Sequence, residues 1–331
     1  MTINSPPQCK NSTMSAYPGS SGKEIVLLDA GNYAGQSSYL NETWTFTGTT
    51  ANWTDQSSTA FNANGPLPGR NNACMSYDGT NVTLFGGQGG SSTTGVLEDT
   101  WTWNGSVWTQ LTGPGLALVG PFGRYNMEAA FLNGAGAAAG LLMFGGENLL
   151  YPLLETWFWS GSAQTWTQIS VANGTGPAAR IGHVMAGSSA SPGTVVMFGG
   201  QGTNSQFNDT WSYTAAGGWS LVTPTSGSPS VRSNACMAYD IANARWVMFG
   251  GQNEYNYLNE TWAFTLTSAT SGTWTQISEG NGVGPSGRID AMMAYDATTL
   301  AAPIMFGGQT ATAGYAINET WSLTGSTWTQ L

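Results

Sequence analysis

One nine-residue motif occurs six times in this chain of 331 residues. Its first copy reads LNETWTFTG (40–48), and all six copies keep an acidic residue, a threonine and a tryptophan in that order. A repeat of this kind cannot bury its apolar surface alone, whereas stacked copies bury a continuous core. The chain is therefore predicted to be built from six similar units. Successive motif tryptophans are 51 to 59 residues apart and are Trp44, Trp101, Trp157, Trp211, Trp262 and Trp321.

Three further features recur in fixed order around this motif. An apolar run ending in Gly-Gly precedes the motif in five copies, and the first copy has LLDAG (27–31) instead. A second tryptophan follows the motif, and a basic residue opens each unit. Each unit thus contains four short β segments, a to d, which is typical of a propeller blade. The second tryptophans are Trp53, Trp108, Trp166, Trp219, Trp274 and Trp328, and the basic residues are Lys10, Arg70, Arg124, Arg180, Arg232 and Arg288.

The composition agrees with an all-β fold. Aromatic residues make up 12% of the chain, glycine accounts for 46 residues, and charged residues are only 8%. Disordered chains are rich in charge and poor in aromatics, so disorder is not expected. We predict an all-β, six-bladed propeller of four-stranded antiparallel blades forming one domain over 1–331. The predicted blades are 7–56, 66–111, 121–169, 177–222, 229–277 and 285–331.

The repeats resemble those of the kelch family. The shared features are the basic residue at the head of strand a, Gly-Gly at the end of strand b and the aromatic pair on strands c and d. The resemblance covers essentially the whole chain and extends to the central propeller of galactose oxidase. It implies a closed ring with strand a lining the axis. His183 is the only histidine, so the copper ligands of that enzyme are not matched, and no metal or other cofactor is predicted.

Each unit has one acidic residue that matches its basic one. Planar, bidentate pairing suits arginine in partly buried places. We therefore predict one ion pair per blade or per blade junction; the alternative is a charged ring that binds a ligand. The acidic residues are Glu42, Asp99, Glu155, Asp209, Glu260 and Glu319.

Strands d to a and b to c are joined by the longer connections, which emerge on one face of the propeller. We call this the long-loop face and predict the ligand there, because loops on a rigid scaffold carry function. Two interpretations stay open for its polar residues: they bind a carbohydrate or a protein, or they cap and pack the loops. The predicted ligand-binding residues are Asn32, Tyr33, Gln88, Glu147, Tyr151, Gln201, Gln252, Tyr255, Tyr257, Gln309 and Tyr315.

Two carboxylates depart from the repeat. Glu128 stands in strand a of blade three, where we align Met14, Cys74, Val184, Cys236 and Met292, and Asp290 replaces Ser, Asn or Gly in blade six. A carboxyl in an apolar row can have a raised pKa and act as an acid or base. No catalytic residue is predicted for a binding protein; for an enzyme the candidates are Glu128, Glu147 and Asp290. The alternative is that these groups bind channel water or backbone.

The charge of the chain limits its partners. A net charge of −10 argues against nucleic acid, which requires a basic surface, and no apolar stretch is long enough to span a membrane. The N-terminal residues show no signal-peptide pattern. We expect a non-catalytic binding or adhesion propeller outside the cell or on a cell or particle surface. The alternatives are a carbohydrate-active enzyme and a self-assembling structural subunit of an extracellular assembly.

Overall fold

The computed structural model describes residues 5–17, 25–29, 40–57, 67–89, 95–113, 120–134, 139–169, 175–189, 193–278, 284–311 and 315–331. Every regular element among these residues is a β-strand. The strands of blades one to three are β1 Thr13–Ala16, β2 Ile25–Asp29, β3 Glu42–Thr47, β4 Asn52–Asp55, β5 Arg70–Asn71, β6 Cys74–Tyr77, β7 Val82–Phe85, β8 Gln88–Gly89, β9 Thr100–Trp103, β10 Trp108–Thr112, β11 Tyr125–Leu132, β12 Gly140–Glu147, β13 Thr156–Ser160 and β14 Thr165–Ile169.

The second half of the chain repeats this arrangement. The strands of blades four to six are β15 Val184–Gly187, β16 Val195–Phe198, β17 Thr210–Thr214, β18 Gly218–Ser226, β19 Cys236–Asp240, β20 Arg245–Phe249, β21 Thr261–Ser268, β22 Ser271–Ser278, β23 Arg288–Ile289, β24 Met292–Asp296, β25 Ala302–Phe306, β26 Gln309–Thr310, β27 Thr320–Thr324 and β28 Thr327–Gln330.

The described strands form six antiparallel four-stranded sheets, each from one contiguous stretch of chain. This arrangement is an all-β propeller of the predicted kind. The short pairs β5–β8 and β23–β26 extend the a–b hairpins of blades two and six. Blades four and five are also joined at their outer edges, because β18 runs parallel to β22 with Thr223 opposite Ser271.

The motif threonine and the second tryptophan join neighbouring blades. The indole Nε1 of each second tryptophan donates to the Oγ1 of the threonine in the preceding blade, at 2.8–3.0 Å. All six indoles are buried, and a buried indole N–H needs such an acceptor. The bond from Trp53 to Thr320 joins blade one to blade six, so it closes the ring like the other five junctions.

The start of strand a forms a second set of inter-blade contacts. Six equivalent residues have φ between 52° and 58°, the left-handed region that Asn, Asp and Gly tolerate best. In the five consecutive pairs, the N–H of each donates to the carbonyl of the one before it, at 2.7–3.2 Å. A nearly complete circle of backbone hydrogen bonds therefore surrounds the axis. Its members are Asn11, Asn72, Asn126, Gly182, Asn234 and Asp290.

Five arginines form ion pairs within their own blades. In blade two, Arg70 Nη1 and Nη2 contact the two carboxylate oxygens of Asp99 at 2.7 and 2.8 Å, and Nη1 also donates to Gly86 O. Burial by itself would raise the pKa of Asp99, but the guanidinium of Arg70 outweighs that effect and lowers it. Equivalent pairs join Arg124 to Glu155, Arg180 to Asp209, Arg232 to Glu260 and Arg288 to Glu319.

Blade one departs from this pattern, and the prediction of an ion pair for every blade or blade junction is wrong for Lys10 and Glu42. Cys9 occupies the place of the arginine, because its carbonyl accepts from Gly308 N just as Arg124 O accepts from Gly87 N. Lys10 lies one residue later, and successive side chains of extended backbone point to opposite sides. Lys10 Nζ donates instead to Gln309 Oε1 at 2.6 Å, and Glu42 accepts from the indole of Trp44.

Candidate functional site

The b–c connection of blade three is a hydrogen-bonded turn on the long-loop face. Asn148 Oδ1 accepts from the N–H groups of Leu150 and Tyr151 at 2.8 and 3.0 Å. The backbone N–H of Asn148 donates to Tyr151 O, and Leu153 N donates to Gly146 O at 2.7 Å. These hydrogen bonds hold the turn together, and its tip residues, Leu149 and Leu150, are exposed.

Blades four and five carry a turn with the same backbone hydrogen bonds. In blade four Gly202 N donates to Ser205 O, and in blade five Asn253 N donates to Asn256 O. In blade five the side chain of Asn253 caps the turn as Asn148 does in blade three. Blade four has Gly202 in place of the capping asparagine. The tips also differ: they are Leu149-Leu150 in blade three, Thr203-Asn204 in blade four and Glu254-Tyr255 in blade five.

Exposed apolar residues lie on the blade-three turn and on the segments beside it. Arg124 Nε donates to Phe122 O while its Nη2 contacts Glu155, so one guanidinium holds the segment of Phe122 beside the segment of Leu154 and Glu155. Contiguous exposed apolar surface commonly marks a place where a partner binds. We call the cluster the blade-three patch; its members, with their exposed fractions, are Phe122 (78%), Leu149 (56%), Leu150 (82%), Tyr151 (57%) and Leu154 (61%).

The ion pairs give this face a negative outer layer. In four pairs the arginine side chain is at most 1% exposed, whereas its carboxylate partner is 27–36% exposed. Glu98 and Glu254 are exposed on the same face. The described chain has seven basic residues: five are the buried arginines, Arg245 pairs with Asp240 at an a–b turn, and Lys10 contacts Gln309.

The predicted row of polar residues after Gly-Gly lies at the long-loop end of the a–b hairpins. Gln88 pairs with Asn71, and Gln309 pairs with Ile289. Glu147 accepts from Asn126 Nδ2 at 3.0 Å. Gln201 and Gln252 form isolated antiparallel bridges at the same place in blades four and five. Asn32 and Tyr33 lie outside the described residues. These five described side chains do not line the axial cavity.

The predicted tyrosines separate into two groups. Tyr151, Tyr255 and Tyr315 are exposed, whereas Tyr257 is half-buried and its backbone pairs with Gln252. Tyr151 belongs to the blade-three patch, and Tyr255 occupies the tip of the blade-five turn. The structure therefore keeps three of these tyrosines available to a ligand.

A cavity of about 490 Å³ runs along the axis between the six a strands. Glu128 and Asp290 both line it, whereas Glu147 does not. Burial raises the pKa of Glu128 to about 8. Burial also raises the pKa of Asp290, to about 6, against the opposing effect of a hydrogen bond from Asn234. The cavity can therefore hold two carboxyl groups that take up protons more readily than usual.

The residue of blade one that corresponds to Glu128 is Thr13, which corrects the alignment with Met14. Thr13 pairs with Leu28 across the a–b hairpin, as Glu128 pairs with Phe144.

His183 is buried, and burial lowers its pKa to about 3. Its ring packs edge-on against Phe144 at 5.6 Å. Within the described ranges, no group of three His, Cys, Asp or Glu residues is arranged to hold a metal ion.

The leucines and the phenylalanine of the blade-three patch were not among the residues predicted from the sequence. The available signal was the run NLLYPLL (148–154), which places four leucines in a connection rather than in a strand. Short apolar runs of this length are also typical of buried segments, so the pattern alone does not indicate exposure.

Comparisons with known proteins agree with the fold. Residues 189–331 match the family model of the KLHDC2/KLHL20/DRC7 Kelch-repeats domain. Multiple epidermal growth factor-like domains protein 8 of Homo sapiens is 28% identical over 203 residues, which cover 59% of this chain and 7% of that protein's length. The solved structure of YjhT covers 99% of both chains with a TM-score of 0.69 and 14% identity, a likeness of fold alone.

No helix in the described part of the chain is long and apolar enough to span a membrane. The four-stranded blades show that the chain folds as a β-propeller, and the repeats of residues 189–331 match the kelch-repeat model.

Proposed function

We propose that this propeller is a non-catalytic protein-binding module that uses its long-loop face. The observation that carries the proposal is the blade-three patch, in which a hydrogen-bonded turn holds Leu149 and Leu150 in solvent beside Phe122 and Leu154. Several large apolar side chains exposed close together commonly mark a surface that a partner covers. A pre-ordered turn also loses little conformational entropy when a partner binds, which favours affinity.

A peptide-display selection tests this proposal. The wild-type protein selects binders from a random library, and each binder is then measured against a variant in which Leu149→Thr and Leu150→Asn copy the tip of blade four. A single hot-spot contact contributes about 2 kcal/mol, so loss of even one of the two leucine contacts should lower the affinity by roughly thirtyfold. Selected peptides that bind both proteins equally well would contradict a binding role for the patch.

A carbohydrate ligand is the second candidate, and Tyr255 favours it. Tyr255 is 80% exposed at the tip of the blade-five turn, beside the polar residues Glu254 and Asn256. An exposed aromatic ring next to hydrogen-bonding groups suits the C–H face and hydroxyls of a sugar. A glycan array compares the wild type with the Tyr255→Ala/Tyr257→Ala variant. Binding that the double substitution abolishes would support this alternative. The predicted extracellular setting and self-assembly remain predictions.

A further inference from the structure

The five ion pairs use their carboxylates in two different ways. Asp99 and Asp209 each give both oxygens to their arginine. Glu155, Glu260 and Glu319 instead receive both the arginine and the neighbouring indole on Oε2, and no described group bonds to their Oε1. Each glutamate pair therefore leaves one carboxylate oxygen available on the long-loop face.

Glu155 and Glu98 flank the blade-three patch on two sides. Arg124 N donates to Leu97 O, the residue before Glu98, while Arg124 Nη2 contacts Glu155. The segment of Phe122 thus lies between the two chain segments that carry these glutamates. Glu98 is exposed, and the side chain of Glu155 is 31% exposed above an arginine that is buried.

The surroundings of the patch make a basic partner favourable. Lys10, which contacts Gln309 of blade six, is the one described basic side chain on this face outside the buried pairs. A cation that approaches the patch consequently meets carboxylate oxygens before any arginine. Complementary charge around an apolar centre increases the association rate and excludes partners of the wrong sign.

We infer that the partner carries an apolar anchor flanked by lysine or arginine, with the anchor on the blade-three patch and the cations on Glu98 and Glu155 Oε1. This inference rests on the proposed function and adds the chemical class of the partner. Partner segments with acidic flanks are disfavoured at the same surface.

Three synthetic fluorescent peptides test the inference. They share one apolar core of leucine and tryptophan and carry flanks of lysine, glutamine or glutamate. Fluorescence polarisation gives each affinity at low and high salt. Two partly exposed charge contacts at about 0.5–1 kcal/mol each predict roughly tenfold tighter binding of the lysine peptide than of the glutamine peptide at low salt, with the difference shrinking at high salt.

Two variants and one matched control assign the effect to these carboxylates. Glu98→Gln removes one charge, and Glu155→Asp keeps the charge but copies the bidentate pair of blade four. Both are expected to reduce the preference for lysine flanks, whereas Glu254→Gln in blade five is not. Thermal unfolding of each variant verifies that the fold is retained.

The outcomes separate the two proposals. If lysine and glutamine peptides bind equally, and both lose affinity in the Leu149→Thr/Leu150→Asn variant, the inference fails and the proposed function stands. If none of the peptides binds the wild type better than that variant, both proposals fail. A preference for glutamate flanks also overturns the inference.

Discussion

Blades three and four share a scaffold but differ in what they present to solvent. Both have a buried arginine paired with the acidic residue before strand c, and both have the four-residue b–c turn. The tip of that turn is Leu149-Leu150 in blade three and Thr203-Asn204 in blade four. Because the backbones agree, the difference in surface chemistry arises from the side chains alone.

The same two blades also differ below the surface. Blade three has Glu128 where blade four has Val184, and Glu155 gives its arginine one oxygen where Asp209 gives two. Two departures from the shared pattern, Glu128 and the leucine tip, thus fall in one blade, whereas blades five and six share the single-oxygen pairing of Glu155. This concentration teaches that repeated contacts maintain the ring, while a single repeat can acquire distinct chemistry without disturbing its neighbours.

The largest expected effect comes from removing the shared arginine. Arg124→Ala leaves Glu155 without its cation and the carbonyls of Phe122 and Gly145 without their donor. We expect the free energy of unfolding to fall by about 3–5 kcal/mol, which is typical for breaking a buried pair. Urea denaturation measures this change, and Arg180→Ala in blade four serves as the matched variant. A cost in blade four without one in blade three would show that the scaffold is not shared.

Glu128 should make the free energy of unfolding depend on pH, an effect that Val184 in blade four cannot have. Its folded-state pKa is raised to about 8, above the ordinary glutamate value. Between those two pKa values the folded protein holds a proton that the unfolded chain has released, so stability falls as pH rises, by at most about 1.4 kcal/mol per pH unit. Glu128→Gln lacks this slope. Denaturation across that pH range should show the wild type losing stability relative to the variant, and parallel curves would contradict the assignment.

The junction between the two blades supplies a smaller effect. Thr156→Val removes the acceptor for Trp219 Nε1 and leaves a buried indole N–H unpaired. The expected loss is about 1–3 kcal/mol in the free energy of unfolding. Thr165→Val, on the exposed outer strand of blade three, is the control and should change stability by no more than about 0.5 kcal/mol. Equal effects at both sites would mean that the inter-blade bond contributes little.

The smallest effect on stability is expected at the tip of blade four. Thr203→Leu/Asn204→Leu copies the blade-three tip onto the same turn and should change the free energy of unfolding by about 0.5 kcal/mol or less. The rest of the patch is absent there, since Ala178 and Asn208 correspond to Phe122 and Leu154. Calorimetry with a selected peptide should therefore still give one site per chain. Two sites would show that a leucine tip is sufficient.

The repeat made the fold predictable because each repeated residue has a repeated contact. The motif threonine and the second tryptophan recur because they bond across every junction. The register of blade one was harder to predict, because its basic residue, Lys10, lies one position after the place that the arginine occupies in the other blades. The correct register aligns Asn11 with Asn72, since both residues have a left-handed backbone in the structure.

The candidate site was only partly predictable. Polar and tyrosine residues in the loops drew attention to the face that carries the blade-three patch, yet the leucines of that patch follow no period that distinguishes exposed from buried residues. Their exposure depends on the cap that Asn148 provides to the turn. The free oxygen of Glu155 likewise depends on how one side chain meets a guanidinium, which residue type alone does not determine.

The bond between Trp53 and Thr320 also bears on how the molecule assembles. It joins residues 267 positions apart, whereas the tryptophan–threonine bonds of the other junctions span 63–67. Loop-closure entropy grows only with the logarithm of length, so the extra span adds about 1.2 kcal/mol. The rate is affected more, because contacts distant in sequence form slowly. The last junction to form is therefore expected to be the one between blades six and one.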